Sequence, residues 1–328
     1  MSDRRSALRL LTALAGSAAV FRPLHAAAAD PWQIVKLNGR DYVTTGSIHK
    51  FYRFSSIDVS QKYVAFKSPN LVMTAYVNSQ TLVINKIKFI TSFPVIRHEG
   101  KVLISRTDLS KLIDPILRPS YIQSPSSFDT VVVDAGHGGH DPGARGRFGN
   151  EASYTLDTAL QLKQALEKHK LKVHLTRSRD TFIPLSGRVE IANRFPKAIF
   201  VSVHFNSGQS QAQGIETFAL TPQGSSSTMS GQRRSDYSEF RGNRRDSENI
   251  ALATAVHASA IHRLKVPDRG VKRARWTVLT GLKLPGILFE GGFVTNASEA
   301  AQINTSTYRK QIASAMAEGI RNFRKALS

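Results

Sequence analysis

The sequence has 328 residues, of which 41% are hydrophobic, and it contains no cysteine. This length allows two domains, and the lack of cysteine excludes disulfide bonds and thiolate metal sites, so a metal ion would need His, Asp or Glu ligands. The formal net charge of +21 indicates polyanionic surroundings, which are nucleic acid in the cytoplasm and envelope polymers or anionic lipid head groups outside it.

Residues 1–29 are predicted to be a signal peptide. Arg4, Arg5 and Arg9 precede an uncharged apolar run at 10–21, and small residues follow it. This order is typical of a cleaved export signal, and the run is short for a membrane span. We therefore expect an exported protein of the periplasm or cell envelope, with no stable transmembrane anchor and no nucleic-acid partner. A retained anchor is the alternative, and the paired arginines also suit twin-arginine export.

Residues 31–118 are predicted to form a small α+β accessory domain, because short β-rich runs alternate there with Asn, Gly and Ser. GRDYVTTGSIHKFY from Gly39 and GKVLISRTDLSKLI from Gly100 align without a gap. This similarity suggests an internal repeat of two strand–helix units, with Ser47 and Asp108 as helix caps. The arrangement resembles the small N-terminal domain of copper amine oxidases, a resemblance that implies neither copper nor oxidase chemistry.

Residues 119–128 are predicted to be an exposed linker, because they are rich in Pro and Ser. From 129 to 328, strand-like runs such as TVVVDA and AIFVSVHF alternate with helix-like runs such as SENIALATAVHASAIHRLK. This alternation predicts an α/β catalytic domain with a mostly parallel, twisted sheet flanked by helices. Residues 221–246 are rich in Ser, Gly and Arg and are interpreted as a flexible basic insertion, which would form a lid if it lay near a site.

Side chains of metal-binding types stand at the ends of three predicted strands. TVVVDAGH ends with Asp134 and His137, AIFVSVHFN ends with His204 and Asn206, and PGILFEGG contains Glu290 near its end. Buried parallel strands place ligands at their carboxyl ends. These five residues should therefore meet at one edge of the sheet.

This set predicts a hydrolytic zinc site. Glu151 lies just before the helix that follows the first loop, so His137, Glu151 and His204 provide the two imidazoles and one carboxylate that hold zinc in many hydrolases. Glu290 is then the general base, and later the general acid, for a zinc-bound water. Asp134 is expected either to orient His137 or to pack at the strand end.

The glycine-rich loop GHGGHDPG is predicted to carry a metal-binding side chain and not to bind a phosphate group. It lacks the lysine of a Walker motif and does not match G-x-G-x-x-G. His140 lies further into the loop than His137 and is the alternative ligand. Asn206 is expected to contact substrate or to brace its own loop. Each residue alone would be an ordinary surface or packing residue, and their joint occurrence at strand ends favours a site.

These segments resemble the zinc-dependent N-acetylmuramoyl-L-alanine amidases of the amidase-3 family. DAGHGGHDPGARG, TRSRDTFIPLSGRVEIAN, FVSVHFNS, GIETFAL and LFEGGFVTN occur in the family's order over about 129–327. The resemblance implies that His137, Glu151 and His204 bind Zn²⁺ and that Glu290 is catalytic. It also implies a peptidoglycan substrate, cut between the lactyl group of N-acetylmuramic acid and the L-alanine of the stem peptide.

The sequence departs from the family pattern at Ala152, where many members have Lys. Some division amidases of the family carry an inserted helix that an activator protein displaces, so an activator is a further candidate partner. The 221–246 segment has no clear helical pattern, and autoinhibition is therefore not expected. Two alternatives stay open at this point: a zinc peptidase that cuts within stem peptides, and a non-catalytic peptidoglycan-binding protein.

Overall fold

A computed structural model describes residues 32–231 and 233–327. The predicted signal peptide at 1–29 lies outside the described residues. Over the two described ranges, no helix is both long and apolar enough to cross a membrane.

The strands form one 14-stranded sheet. The strands are β1 (Ile34–Leu37), β2 (Arg40–Thr44), β3 (Ser56–Val59), β4 (Tyr63–Ser68), β5 (Leu71–Tyr76), β6 (Ser79–Ile84), β7 (Ile87–His98), β8 (Lys101–Ser105), β9 (Thr130–Ala135), β10 (Lys172–Leu175), β11 (Ala198–Asn206), β12 (Ile215–Leu220), β13 (Asp268–Ala274) and β14 (Gly286–Phe293). The helices are α1 (Thr45–Tyr52), α2 (Arg106–Asp108), α3 (Asp114–Leu117), α4 (Glu151–Glu167), α5 (Leu185–Asn193), α6 (Asp246–Leu264), α7 (Thr277–Thr280), α8 (Ala297–Ile303) and α9 (Ser306–Leu327), and a π-helical turn at Leu109–Ile113 joins α2 to α3.

Residues 129–328, predicted to be the catalytic part, have the α/β architecture expected from the sequence. Their strands lie in the order β10-β9-β11-β14-β12-β13. All neighbouring pairs are parallel except β12 and β14, which are antiparallel. The carboxyl ends of β9, β11 and β14 therefore lie at one edge, which we call the ligand edge. Because β12 runs the other way, it begins at the ligand edge and ends at the opposite edge.

Helices cover both faces of this sheet because each presents an apolar stripe to it. On α9 the stripe consists of Ile312, Met316, Ile320 and Phe323, which are all buried and follow helical spacing. α4, α6 and α9 pack on one face, and α5 and α7 pack on the other. This arrangement leaves the ends of the strands open for functional side chains.

The sheet continues without a break into the accessory domain. β13 pairs in parallel with β7 at Val271 and Phe89, and the sheet then runs through β6, β5 and β4 to β3. Apolar residues of both parts belong to one core. The expectation of an exposed linker is wrong at its end, because Phe128 is buried and stacks on Phe323 with ring centroids 5.9 Å apart.

The two segments aligned as a repeat each form a strand followed by a helix, and their strands β2 and β8 pair antiparallel. The predicted caps are wrong by three residues. Thr44 accepts a hydrogen bond from the Ser47 amide at 3.3 Å, and Ser105 accepts one from the Asp108 amide at 2.9 Å. A cap side chain bonds to the amide two or three residues further on, so the polar residue before each helix is the cap.

The segment at 221–246, interpreted from the sequence as a flexible basic insertion, contains local secondary structure. Short 3-10 helices occur at Arg234–Tyr237 and Arg241–Arg245, and the buried carboxylate of Asp236 pairs with Arg275 at 2.7 Å. The segment follows the end of β12 and therefore lies at the edge opposite the ligand edge. This position excludes the lid that was considered from the sequence.

Candidate active site

Strand register brings His204 and Glu290 side by side at the ligand edge. β11 and β14 are parallel, and the Cα atoms of these two residues are register partners. On the other side of β11, β9 ends at Ala135, directly before the glycine-rich loop that carries His137. The prediction that the three strand ends share one edge is confirmed.

The loop after β9 folds tightly around the two imidazoles. His137 itself has φ of +61°, a left-handed conformation, and its ring centroid lies 5.0 Å from that of His204. A Cβ atom on Gly136 would lie 2.3 Å from Cε1 of His204, and one on Gly143 would lie 2.6 Å from Cδ2 of His137. Glycine is required at both positions because any side chain would displace an imidazole.

Glu151 lies between the two histidines. It is the first residue of α4, and Asn150 caps that helix by accepting a hydrogen bond from the Ser153 amide at 3.0 Å. Its Oε2 lies 3.1 Å from Nε2 of His137, and its Oε1 lies 2.9 Å from Nδ1 of His204. The cap at the start of α4 thus aims this carboxylate at both rings.

Electrostatics keep the Glu151 carboxylate ionised. Burial raises its pKa, but the contacts with His137 and His204 outweigh burial and hold the pKa below its usual value. Burial lowers the pKa of His137, and the carboxylates of Glu151 and Asp141 outweigh that effect and raise it. The amides of Ala144 and Phe205 also donate to Glu151, at 2.9 and 3.1 Å. The carboxylate is therefore fixed in place before any ion binds.

These three side chains could hold a metal ion. One ligand atom from each of His137, Glu151 and His204 lies within 4.8 Å of the others. The donor set of two imidazole nitrogens and one carboxylate oxygen suits zinc and related divalent metals. The orientation of His137 is fixed from behind, because its Nδ1 contacts Oδ2 of Asp141 at 2.8 Å, which turns Nε2 toward Glu151.

Glu290 provides a second carboxylate with an unusual environment. Its Oε2 is buried and has no hydrogen-bond partner among the described residues. Burial, followed by repulsion from Glu151 and Glu216, raises the pKa of Glu290 well above its usual value. Glu216 is its register partner on β12. A carboxyl group with a raised pKa beside side chains of metal-binding types is suited to proton transfer.

Of the two roles considered for Asp134, the contacts favour the one at the strand end, because no hydrogen bond joins it to the His137 ring among the described residues. Its carboxylate accepts hydrogen bonds from Thr176 at 2.6 Å, from Ser202 at 2.7 Å and from Arg188 at 2.8 Å. Arg188 in turn donates to the His137 carbonyl at 2.8 Å. Asp134 therefore acts at the strand end, where it holds the arginine that fixes the loop backbone.

The two remaining residues considered from the sequence, Asn206 and His140, lie beside the group formed by His137, Glu151 and His204 and are not part of it. Oδ1 of Asn206 accepts a hydrogen bond from the Ser207 amide at 2.8 Å, so this side chain braces its own loop. The His140 ring packs on Phe182 with centroids 4.1 Å apart, away from the grouped ligand atoms. Sequence reasoning missed Asp141, although its place four residues after His137 in the same loop was a usable signal.

An α/β sheet with two imidazoles and two carboxylates at one strand edge is the arrangement expected of a metal-binding hydrolase. A family model described as N-acetylmuramoyl-L-alanine amidase matches residues 131–322, and the chain belongs to this amidase-3 family. It is therefore a peptidoglycan amidase.

Known proteins of the family are similar over the catalytic part. The chain is 33% identical over 216 residues to N-acetylmuramoyl-L-alanine amidase AmiA of Escherichia coli, covering 58% of this chain and 74% of AmiA. The solved catalytic domain of the amidase CwlV from Bacillus (Paenibacillus) polymyxa is 30% identical with a TM-score of 0.51, over 61% of this chain and 99% of that one. The CwlD amidase of Clostridioides difficile, solved in complex with the GerS lipoprotein, is 25% identical with a TM-score of 0.50, over 60% and 98%.

Proposed function

We propose that the protein hydrolyses the amide bond between the lactyl group of N-acetylmuramic acid and the L-alanine of the stem peptide, with Zn²⁺ held by His137, Glu151 and His204. The observation that carries this proposal is the convergence of these three side chains, whose ligand atoms lie within 4.8 Å of one another, next to the unpaired carboxylate of Glu290. The backbone amides that donate to Glu151 support the same role, because they preorganise a ligand that must stay ionised.

Bound zinc supplies a Lewis acid that polarises the lactyl carbonyl and makes water more acidic. Glu290 takes the proton from the attacking water and then delivers it to the departing alanine amine. The group must hold this proton between attack and departure. His137 stays in one orientation throughout, because Asp141 and the Arg188 contact to its carbonyl fix both its ring and its backbone.

The test is digestion of purified peptidoglycan, read by mass spectrometry, with the protein as isolated, after chelation, and after Zn²⁺ is added back. We expect intact stem peptides released from the glycan, loss of release after chelation, and recovery with zinc. Shortened stem peptides would identify the alternative, a zinc peptidase. Release that survives complete chelation would overturn the metal-dependent mechanism.

A Glu290→Ala variant separates catalysis from binding. It keeps the three proposed ligands, so it should bind Zn²⁺ with wild-type stoichiometry while peptide release is lost. If Glu290→Ala and the wild type show equally little release while both bind peptidoglycan, the non-catalytic alternative is correct.

The cellular setting follows from the same proposal. A peptidoglycan substrate requires export to the periplasm or cell envelope, and the net charge of +21 suits an envelope rich in anionic polymers. An activator protein stays a prediction, for which the complex of the CwlD amidase with a lipoprotein is a precedent. Cell fractionation with an antibody against residues 32–118 tests the location.

A further inference from the structure

A group of three charged residues lies beside the proposed catalytic carboxylate and has no role in the mechanism above. Glu216 on β12 is buried and accepts from Nε of Arg269 and, at 3.0 Å, from Nζ of Lys272, both on β13. The Cα atom of Glu216 is the register partner of that of Glu290. The group therefore continues the row of His204 and Glu290 across the sheet.

The position of the two cations is fixed by the strand order. β13 is the second strand from β14, so with strands about 5 Å apart the cations lie roughly 10 Å from the Glu290 backbone along the sheet. Lys272 lies above the Phe218 ring, with Nζ 5.9 Å from its centroid. The guanidinium of Arg269 lies 4.8 Å from the ring centroid of Phe293, at the end of β14. The cations thus lie on the face and at the edge where substrate must extend.

One carboxylate is shared by two cations, so this group keeps a net positive charge. Arg269 uses Nε for its contact with Glu216, and no hydrogen bond of its two Nη atoms occurs among the described residues. Its side chain is 36% exposed, and that of Lys272 is 16% exposed. The nearby Glu299 forms no direct ion pair with Arg269 among the described residues: its oxygens accept from the amides of Gly214 and Phe293 at 2.8 and 2.7 Å, and Arg269 acts on its charge only at longer range.

A single cation would be enough to neutralise a buried Glu216. The second cation, and the outward-facing fork of Arg269, match a planar anion. We propose that Arg269 and Lys272 bind a free carboxylate of the stem peptide, about two residues beyond the bond that is cut. Two extended residues span about 7 Å, which is comparable with the separation across β12. This inference rests on the proposed amidase function.

The experiment uses two synthetic muropeptides that differ only at the α-carboxyl group of the second stem residue, which is free in one and amidated in the other. Cleavage of each is measured as kcat/KM for the full-length wild type, Arg269→Gln, Lys272→Met and the control Lys310→Gln, which changes an exposed cation on α9. The ratio of the two kcat/KM values is the readout, because partial unfolding lowers both values equally.

We expect the wild type and Lys310→Gln to prefer the free acid by about tenfold, as for one charge-assisted hydrogen bond in a partly exposed site. Arg269→Gln and Lys272→Met should each bring the ratio toward one, mainly through KM. A wild-type ratio near one, or ratios unchanged in both variants, would overturn the inference while leaving the amidase function intact. If the wild type cuts neither substrate nor peptidoglycan, the proposed function itself fails and this inference falls with it.

Discussion

Replacing Glu290 with Gln should abolish cleavage and at the same time stabilise the metal-free protein. The carboxylate has a buried oxygen without a partner and is repelled by Glu151 and Glu216. Loss of a positioned proton-transfer group costs about 10²- to 10⁴-fold in rate. At a pH where Glu290 is ionised, removal of this buried and repelled charge contributes about 1–3 kcal/mol to the free energy of unfolding, which raises Tm by roughly 2 to 10 °C in a protein of this size.

The pH dependence of this stabilisation has a defined sign. The pKa of Glu290 is raised in the folded state above its unfolded value of about 4.5, so ionisation of this group opposes folding. The penalty is absent below the unfolded pKa and complete above the folded pKa. The gain in Tm of Glu290→Gln over wild type should therefore grow as pH rises from 4.5 and be near zero below it.

The assay is thermal unfolding of chelator-treated protein at several pH values, together with peptide release from peptidoglycan. The matched control is Glu248→Gln, which removes a buried carboxylate that is already paired with Arg245 at 3.0 Å and accepts from the Ser126 amide at 2.7 Å. This control should lower Tm and keep cleavage. Retained cleavage in Glu290→Gln, or a Tm below that of the wild type at neutral pH, would refute the reasoning.

Three further substitutions test the surroundings of the site. Asp141→Asn leaves the ligands in place but removes the carboxylate behind His137, so Zn²⁺ affinity should fall by about 10- to 100-fold in a chelator competition titration. Gly143→Ala places a Cβ 2.6 Å from His137 and 2.7 Å from Glu151 at a residue with φ of +63°, so metal stoichiometry should drop below one. Arg273→Met removes a buried guanidinium that donates to the Leu220 carbonyl at 3.1 Å and to a carbonyl of the accessory domain, and urea unfolding should show a loss of about 3–5 kcal/mol.

The amino-acid sequence predicts well which side chains meet at the ligand edge, because their positions follow from a short-range pattern. A buried run that ends in His204 or Glu290 is visible without knowing its neighbours, and parallel strands necessarily bring such ends together. The groups that fix the ligands are less accessible to this reasoning. Arg188 lies far from His137 along the chain and reaches it only because α5 packs over the end of β9, which depends on tertiary packing.

The accessory domain shows the same limit. Alternation and turns predict its strands, but they do not show that β7 adds to the edge of the catalytic sheet. That contact depends on details such as Asp268, which accepts from the Lys88 amide at 2.8 Å, and Gly270, where a Cβ would lie 3.2 Å from the Lys88 carbonyl oxygen. The apolar pattern of β7 or β13 would be the same if each strand were an unpaired sheet edge covered by a helix. The pattern therefore does not predict that the two strands pair.

The direction of β12 has the largest functional effect of any feature that the sequence leaves open. IETFAL is buried throughout and would be equally apolar in either direction. Because β12 runs antiparallel to β14, its first residues lie at the ligand edge. There Glu216 is the register partner of Glu290 and holds Arg269 and Lys272 near the proposed substrate path. The same reversal moves the arginine-rich segment after Leu220 to the far edge, where it cannot close over the metal ligands. The direction of β12 thus places the proposed carboxylate-binding cations beside the site, and it places the segment that could have formed a lid at the opposite edge.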